Sequence, residues 1–489
     1  MSSKVNKISE LEKLLTDENK TNEGIVHFLT QFKINQILKP FMNVKEKGVD
    51  VCTLFLVLSL YRLRGASIWA MQLTGKKIFF SGDENTLYRF MNNPRMDWRR
   101  LLMCFAKQFI TLAAKHGSEN KRVKCFIADD TDIEKTGSTI EFISRIFNHV
   151  NKTYPLGFKM LTLAYWDGKS IIPVDFSLHR EKGSKGNFGL TKEEQKSQFK
   201  KKRSKEMPSY KRVQELDIAK TEVLVSMLKR AVKNGLNATY VLMDSWFVND
   251  YILKQIRSIK NGAMHVLGMC KMDRRKFNIN GKALNSREII IKNERKKRKY
   301  SKKYKSSYIS MVAQYKGMEV KLFYIKYRNA KNWNLLLTTD LSLSFNEAVE
   351  QYQVRWTIEV MFKECKQYLR LGKSQNTDFD GQVADATLVL ITHIILSLKL
   401  RFEDYETMGE LFRETQQGLL ELTLWERIMD VFLKIIIELL EFLNIDVEES
   451  IERIMKDDKA GKKLFSFFAA FKENVDNPAF VTKTGTIAA

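Results

Sequence analysis

Two short, almost unbroken apolar runs, each ending in aspartate, constrain this chain most. VKCFIA (123–128) leads into Asp129-Asp130-Thr131, and ATYVLM (238–243) leads into Asp244. A run with no polar alternation is a strand buried on both faces, as in a sheet covered by helices on either side. Between the two lie FKMLTLAYW and KSIIPVDFSLH, joined through Asp167-Gly168. Two β-rich segments around an Asp-Gly pair predict a hairpin. The helix ELDIAKTEVLVSMLKRAVKNG then ends at Gly235, a suitable C-terminal cap. After Asp244 come a short helix (NDYILKQIRSIKNG) and a strand (AMHVLGMCK). This is an α/β chain with a mixed sheet flanked by helices.

The texture differs on both sides of this core. Apolar residues recur at helical spacing through 49–73 and 97–116. We take 1–118 as a helical N-terminal region, suited either to DNA binding or to capping the core. Residues 119–270 form the first part of the core. Residues 271–340 form a β-rich insertion with a basic arm, since SYISMVAQY, MEVKLFYIKY and NWNLLLTTD alternate. Residues 341–405 return to the core with one long helix from Ser344 to Leu371. Residues 406–489 form a helical C-terminal region, whose amphipathic stretch at 425–445 is a candidate for dimerisation.

Charge narrows the partner. Lys and Arg number 82 against 57 Asp and Glu, a formal net charge of +25. So large a cation associates with polyanions, nucleic acid above all. The basic residues concentrate in 181–212, with 11 Lys and Arg against 4 Glu, and in 292–305, with nine against one. Lys200, Lys201, Lys202 and Arg203 in the first, and Lys296, Lys297 and Arg298 in the second, are candidates for sequence-independent DNA contact. The alternative for each segment is a solvated loop. Trp246 and Trp333 are candidates for stacking on a base, or else core residues. Among the histidines, which show no paired metal spacing, His179 stands out, near the end of the third strand.

Five cysteines at 52, 104, 125, 270 and 365 are odd in number and far apart, so no disulfide framework is expected. Cys52, Cys104, Cys125 and Cys365 read as core packing. The first 24 residues lack the apolar stretch of a secretory signal. The longest uncharged apolar run, Ala386–Leu398, is 13 residues, too short to span a bilayer. We expect a soluble protein of a reducing cytoplasm, with no membrane partner and no organic cofactor.

The helix FNEAVEQYQVRWTIEVMFKECKQYLRLG carries a polar stripe. Tyr352, Arg355, Glu359, Lys363 and Lys366 fall within an arc of roughly 80° at about 100° per residue. One carboxylate thus stands among cations and a phenol; the alternative is a solvated, ion-paired face. Asp129 and Asp244 add two carboxylates at strand ends, where an open sheet binds its ligands. Three such carboxylates can hold two Mg²⁺ ions about 4 Å apart, for in-line displacement at phosphorus. Mn²⁺ can substitute.

The order strand–Asp-Asp-Thr, strand–Asp-Ser-Trp, then Y-x2-R-x3-E-x6-K resembles the insertion-sequence DDE transposases. Within them it is similar to the branch named for the fourth-described insertion sequence, which carries the YREK signature. Here the signature is Tyr352, Arg355, Glu359 and Lys366, and LLLTTDLSLS and KQYLRLG flank it. The resemblance covers roughly 120–400. It implies a ribonuclease-H-like catalytic core, interrupted by a β-rich insertion before the glutamate helix. It implies Asp129, Asp244 and Glu359 as metal ligands and Tyr352, Arg355 and Lys366 as a grip on phosphates near the cut. The motif's register favours Asp129 over its neighbour Asp130. It further implies double-stranded DNA as partner (terminal inverted repeats and target), a homodimer on DNA, and a bacterial or archaeal, nucleoid-associated setting. The alternative function is a catalytically decayed, DNA-binding repressor of the element.

Overall fold

The computed structural model describes residues 33–45, 47–63, 68, 83–115, 123–328, 330–402, 407, 408 and 411. These lie in one compact unit, Phe32–Phe412. The expected helical region at 406–489, with its dimerisation stretch at 425–445, lies outside the described residues but for 407, 408 and 411.

The first apolar run becomes β1 (Cys125–Lys135), followed by β2 (Ser144–Arg145), β3 (Leu156–Trp166) and β4 (Ile171–His179). The second becomes β5 (Tyr240–Met243), and β6 (His265–Cys270) follows. β5 is parallel to β1 and to β6, whereas β3 is antiparallel to β1 and pairs with β4 through the expected hairpin. Residues 125–128 and 240–243 are buried, as strands covered on both faces must be. Pro173 sits in β4, which pairs only with β3, at a break in its register. A residue without an N–H is tolerated at an edge or a bulge.

The β-rich segment of 271–340 adds its strands to this sheet. β7 (Lys276–Ile279), β8 (Lys282–Asn285), β9 (Lys299–Ser301), β10 (Ser306–Tyr315), β11 (Met318–Tyr327) and β12 (Asn334–Thr338) continue the same sheet. β12 docks antiparallel on β6, from Leu335 opposite Cys270 to Thr338 opposite Leu267. The free edge of β6 needs backbone partners, and β12 supplies them. Residues Ser286–Lys297 are a helix, because Asn285 and Glu288 form a reciprocal capping box.

In chain order the helices are α1 (Ile34–Leu38), α2 (Val51–Leu63), α3 (Glu84–Met91), α4 (Trp98–Lys115), α5 (Lys192–Ser197), α6 (Pro208–Glu215), α7 (Lys220–Lys233), α8 (Asp250–Ser258), α9 (Ser286–Lys297), α10 (Phe345–Gln353), α11 (Trp356–Gln367) and α12 (Phe379–Phe402). α12 is the apolar centre of the helical layer. It is long and apolar enough to cross a membrane by length and composition, yet 94% of its most apolar window is buried in the protein. Its hydroxyls are satisfied within the helix, Thr387 donating to the Val383 carbonyl and Thr392 to that of Leu388, both at 2.8 Å. α4 packs on both α12 and β4. Within the N-terminal region the described helices α2 and α4 are therefore bound to the core, with Arg62 paired to Asp385 and Arg99 to Asp175.

Two smaller expectations change. Cys125 and Cys365 are buried, but Cys52 and Cys104 are only partly so, and Cys52 Sγ lies 2.8 Å from Asn35 Oδ1. The long helix of 344–371 is two helices, broken at Val354 and Arg355. There the backbone turns more tightly, Arg355 N–H reaching the Tyr352 carbonyl at 3.0 Å and Ile358 N–H that of Arg355 at 3.2 Å.

Candidate active site

β1 and β5 run in register, Ala128 opposite Met243 being the last pair. The next residues are Asp129 and Asp244, so the two aspartates stand side by side on adjacent parallel strands. Asp129 does not close its strand, as its sequence suggested. β1 continues to Lys135, paired only with β3 beyond Ala128. The stopping of β5 leaves that edge of β1 open, and the third carboxylate arrives there on α11.

Side chains alternate along a strand. Asp129 and Thr131 meet the region of α11: Arg355 Nη1 donates to Asp129 Oδ2 at 2.9 Å, and Lys366 Nζ to Thr131 Oγ1 at 2.7 Å. Arg355 Nη2 also pairs with Glu359. Asp130 and Asp132 take other partners. Lys220, at the start of α7, pairs with Asp130, and Lys159, directly across on β3, pairs with Asp132 at 2.6 Å. Asp130 is thus neutralised by a lysine of its own, whereas Asp129 shares a cation with Glu359.

An open groove of about 850 Å³ runs past Asp129 and Glu359 and is lined by Lys363, Lys366 and Lys159. Lys363 and Lys366 are exposed along it. Tyr352 lies beneath Arg355, whose guanidinium carbon is 5.9 Å from the ring centroid. Burial pushes its phenol up to about 12, although Arg355 acts in the opposite direction. Burial likewise raises Asp129 to about 7; Asp244 and Asp130 add to the rise, and Arg355 opposes it. Gly268 of β6 lets the Asp244 segment close in. A Cβ there would lie 2.6 Å from Val248 Cγ2 and 3.0 Å from the Met243 carbonyl oxygen. The Asp244 carboxylate accepts the Trp246 backbone N–H at 3.0 Å.

Among the described residues no three His, Cys, Asp or Glu side chains stand close enough together to hold a metal ion. The donors themselves are carboxylate oxygens, the chemistry that Mg²⁺ and Mn²⁺ prefer. In this structure the Arg355 guanidinium is the cation between two of them.

The structure divides the other sequence candidates. Lys200 and Lys202 are exposed, and so are Lys296, Lys297 and Arg298 at the end of α9. Lys201 and Arg203 are not surface cations. Arg203, with its side chain 3% exposed, pairs with Glu141, Asp378 and Asp380, and Lys201 pairs with Asp378 and Asp380 at 2.7 and 2.9 Å. They tie the loop to the start of α12, which corrects their assignment to DNA contact. Trp246 is 45% exposed, with Lys220 Nζ 4.4 Å from its ring centroid, and Trp333 is half-buried. His179 is buried, with Nε2 2.7 Å from Ser177 Oγ. Lys220 and Lys159 were missed in the sequence. Lys159 could have been found, being a lone lysine in an apolar strand that must meet a carboxylate.

A mixed sheet flanked by helices, with acidic residues gathered where its parallel strands end, is the ribonuclease-H-like architecture. Two family models match the chain. Residues 54–263 match the family described as DDE superfamily endonuclease, and residues 207–395 match the transposase DDE domain. The first match contains Asp129 and Asp244, and the second contains Asp244 and Glu359. Together they show a DDE-superfamily transposase or endonuclease. No curated protein matches the chain.

Proposed function

We propose that this protein is a DNA transposase that cuts the ends of its own insertion sequence and joins the freed 3′-hydroxyl to target DNA. The observation that carries it is the single guanidinium of Arg355 on Asp129 and Glu359, with Asp244 next in register to Asp129. With the Arg355 guanidinium displaced, Asp129, Asp244 and Glu359 would draw together to hold two Mg²⁺ ions, or Mn²⁺ in their place. Bound there, such ions supply activation of the attacking oxygen and stabilisation of the leaving 3′-oxygen.

The chain's own residues would do the rest. Tyr352, Arg355, Lys363 and Lys366 would face phosphates at the cut, and a DNA phosphate would take the guanidinium from the carboxylates. Lys200, Lys202, Lys296, Lys297 and Arg298 would supply sequence-independent attraction. The protein would work as a dimer on paired inverted repeats, in the YREK-signature branch.

The test uses purified protein, a DNA fragment bearing the element's ends, a target plasmid and Mg²⁺. The reading expects 3′-end cleavage and joined products, both lost in Glu359→Ala with end binding kept. Binding without cleavage by wild type would favour the repressor, and cleavage without joining would leave a nuclease.

A further inference from the structure

Away from the carboxylates, a cavity of about 230 Å³ lies among α4, α6 and α7. α4 contributes Trp98 and Arg99, α6 contributes Ser209 and Arg212, and α7 contributes Arg230. Behind them Asp175 of β4, 1% exposed, accepts from Arg99 Nε at 3.0 Å and Arg230 Nε at 2.9 Å, and Glu215 pairs with the same arginines. Arg212 reaches the same two carboxylates only at 3.7 Å and donates its Nη1 to the Phe176 carbonyl, so three guanidinium groups share Asp175 and Glu215. Burial and the neighbouring Arg99 pull Arg212 down to about 9, so its charge is under-compensated.

The donors are under-used as well. Arg212 Nε and Nη2, Ser209 Oγ and Trp98 Nε1 are buried and have no hydrogen-bond partner. Arg212 is 6% exposed and Trp98 3%. Guanidinium and indole N–H groups only donate, so what they need is acceptors. The other carboxylates lining the cavity differ in reach. Asp97 accepts the Arg100 backbone N–H at 2.9 Å, and Asp380 is held by Lys201 and Arg203. Glu206 and Lys211 are exposed at the rim.

We propose that this cavity binds a small tetrahedral oxyanion of the phosphate or sulfate kind, which locks α4 to α6 and α7. An oxyanion brings several acceptors together for these unpartnered donors. The space is below the roughly 300–1,000 Å³ of pockets that enclose drug-sized ligands, so a whole nucleotide is excluded. The site is independent of the proposed transposase activity.

The test is thermal unfolding of the full chain in sodium phosphate, sodium sulfate and sodium chloride at matched ionic strength. We expect a saturable rise in Tm with phosphate or sulfate over chloride. The Trp98→Phe/Ser209→Ala double variant removes two donors and keeps every arginine pair. It should unfold cooperatively and need at least tenfold more phosphate for the same rise. Competition by an oligonucleotide with and without a 5′-phosphate identifies the source. Displacement only by the phosphorylated strand assigns the site to a DNA end, and no displacement assigns it to the free anion. The absence of any saturable shift in wild type, or equal affinity in the double variant, would overturn the proposal.

Discussion

Arg355 and Asp129 are 226 residues apart in the chain and meet at 2.9 Å. The same guanidinium reaches Glu359, so a strand and a helix that are distant in sequence share one cation. Arg355 thus neutralises the two carboxylates with one charge.

Arg355→Gln therefore has two opposite effects. It should destabilise the metal-free protein by about 1–3 kcal/mol, the cost of leaving a partly buried charged group without its partner. It should also bind Mn²⁺ more tightly than wild type, because no guanidinium competes for Asp129 and Glu359. Chemical denaturation and calorimetric titration check the two. Weaker Mn²⁺ binding would show that the arginine assembles the site and does not hold its place.

Lys220 and Asp130 form a pair separate from the Arg355 bridge. A double-mutant cycle with Lys220→Met and Asp130→Asn should give a coupling of about 0.5–3 kcal/mol in stability. Asp130→Asn alone should keep DNA cleavage, unlike Asp129→Asn. Equal loss of cleavage in both would place Asp130 in the site.

The four consecutive basic residues of 200–203 should split into two behaviours. Lys200→Gln/Lys202→Gln should lower the salt dependence of DNA binding by about one unit of slope per lost phosphate contact, at unchanged stability. Arg203→Met should leave that slope alone and destabilise by about 3–5 kcal/mol, since it strands the buried Glu141 and leaves Asp380 to Lys201 alone. Fluorescence anisotropy across salt concentrations, with urea unfolding, separates them.

His179 sets an acid limit. Burial, then the nearby Lys220, lowers it from the ordinary 6.5 to about 4. Between those values the unfolded chain takes up the proton and the folded chain does not. Stability is therefore whole above about pH 6.5 and lost as pH falls towards 4, by about 3 kcal/mol in total. His179→Gln should remove this contribution, read as the difference between variant and wild type, because Asp129, raised to about 7, titrates over the same range with the opposite sign.

Much of the core was legible because its signals are local. The runs at 123–128 and 238–243, the Asp-Gly hairpin and the Y-x2-R-x3-E-x6-K spacing all lie within a few residues of chain. What depends on long-range pairing was not. Nothing local says that β12 returns to the edge of β6 and so joins the β-rich segment to the core sheet. Lys201 and Arg203 look like their neighbours until Asp378 and Asp380 arrive from 175 and more residues away. The break at Val354–Arg355 has no Pro or Gly to announce it. The helix at 286–297 was different: its Asn285-to-Glu288 capping box was visible and was overshadowed by the run of basic residues.

The most direct measurement is marker excision in cells, with the element's flanking ends on either side of the marker and the protein supplied in trans. Wild type should excise the marker and reinsert it. Glu359→Ala should lose excision by a factor on the order of 100 or more, as when one transition-state stabiliser is removed, with end binding intact. Equal excision by the two proteins would remove Glu359, and with it the shared cation of Asp129 and Glu359, from the chemistry.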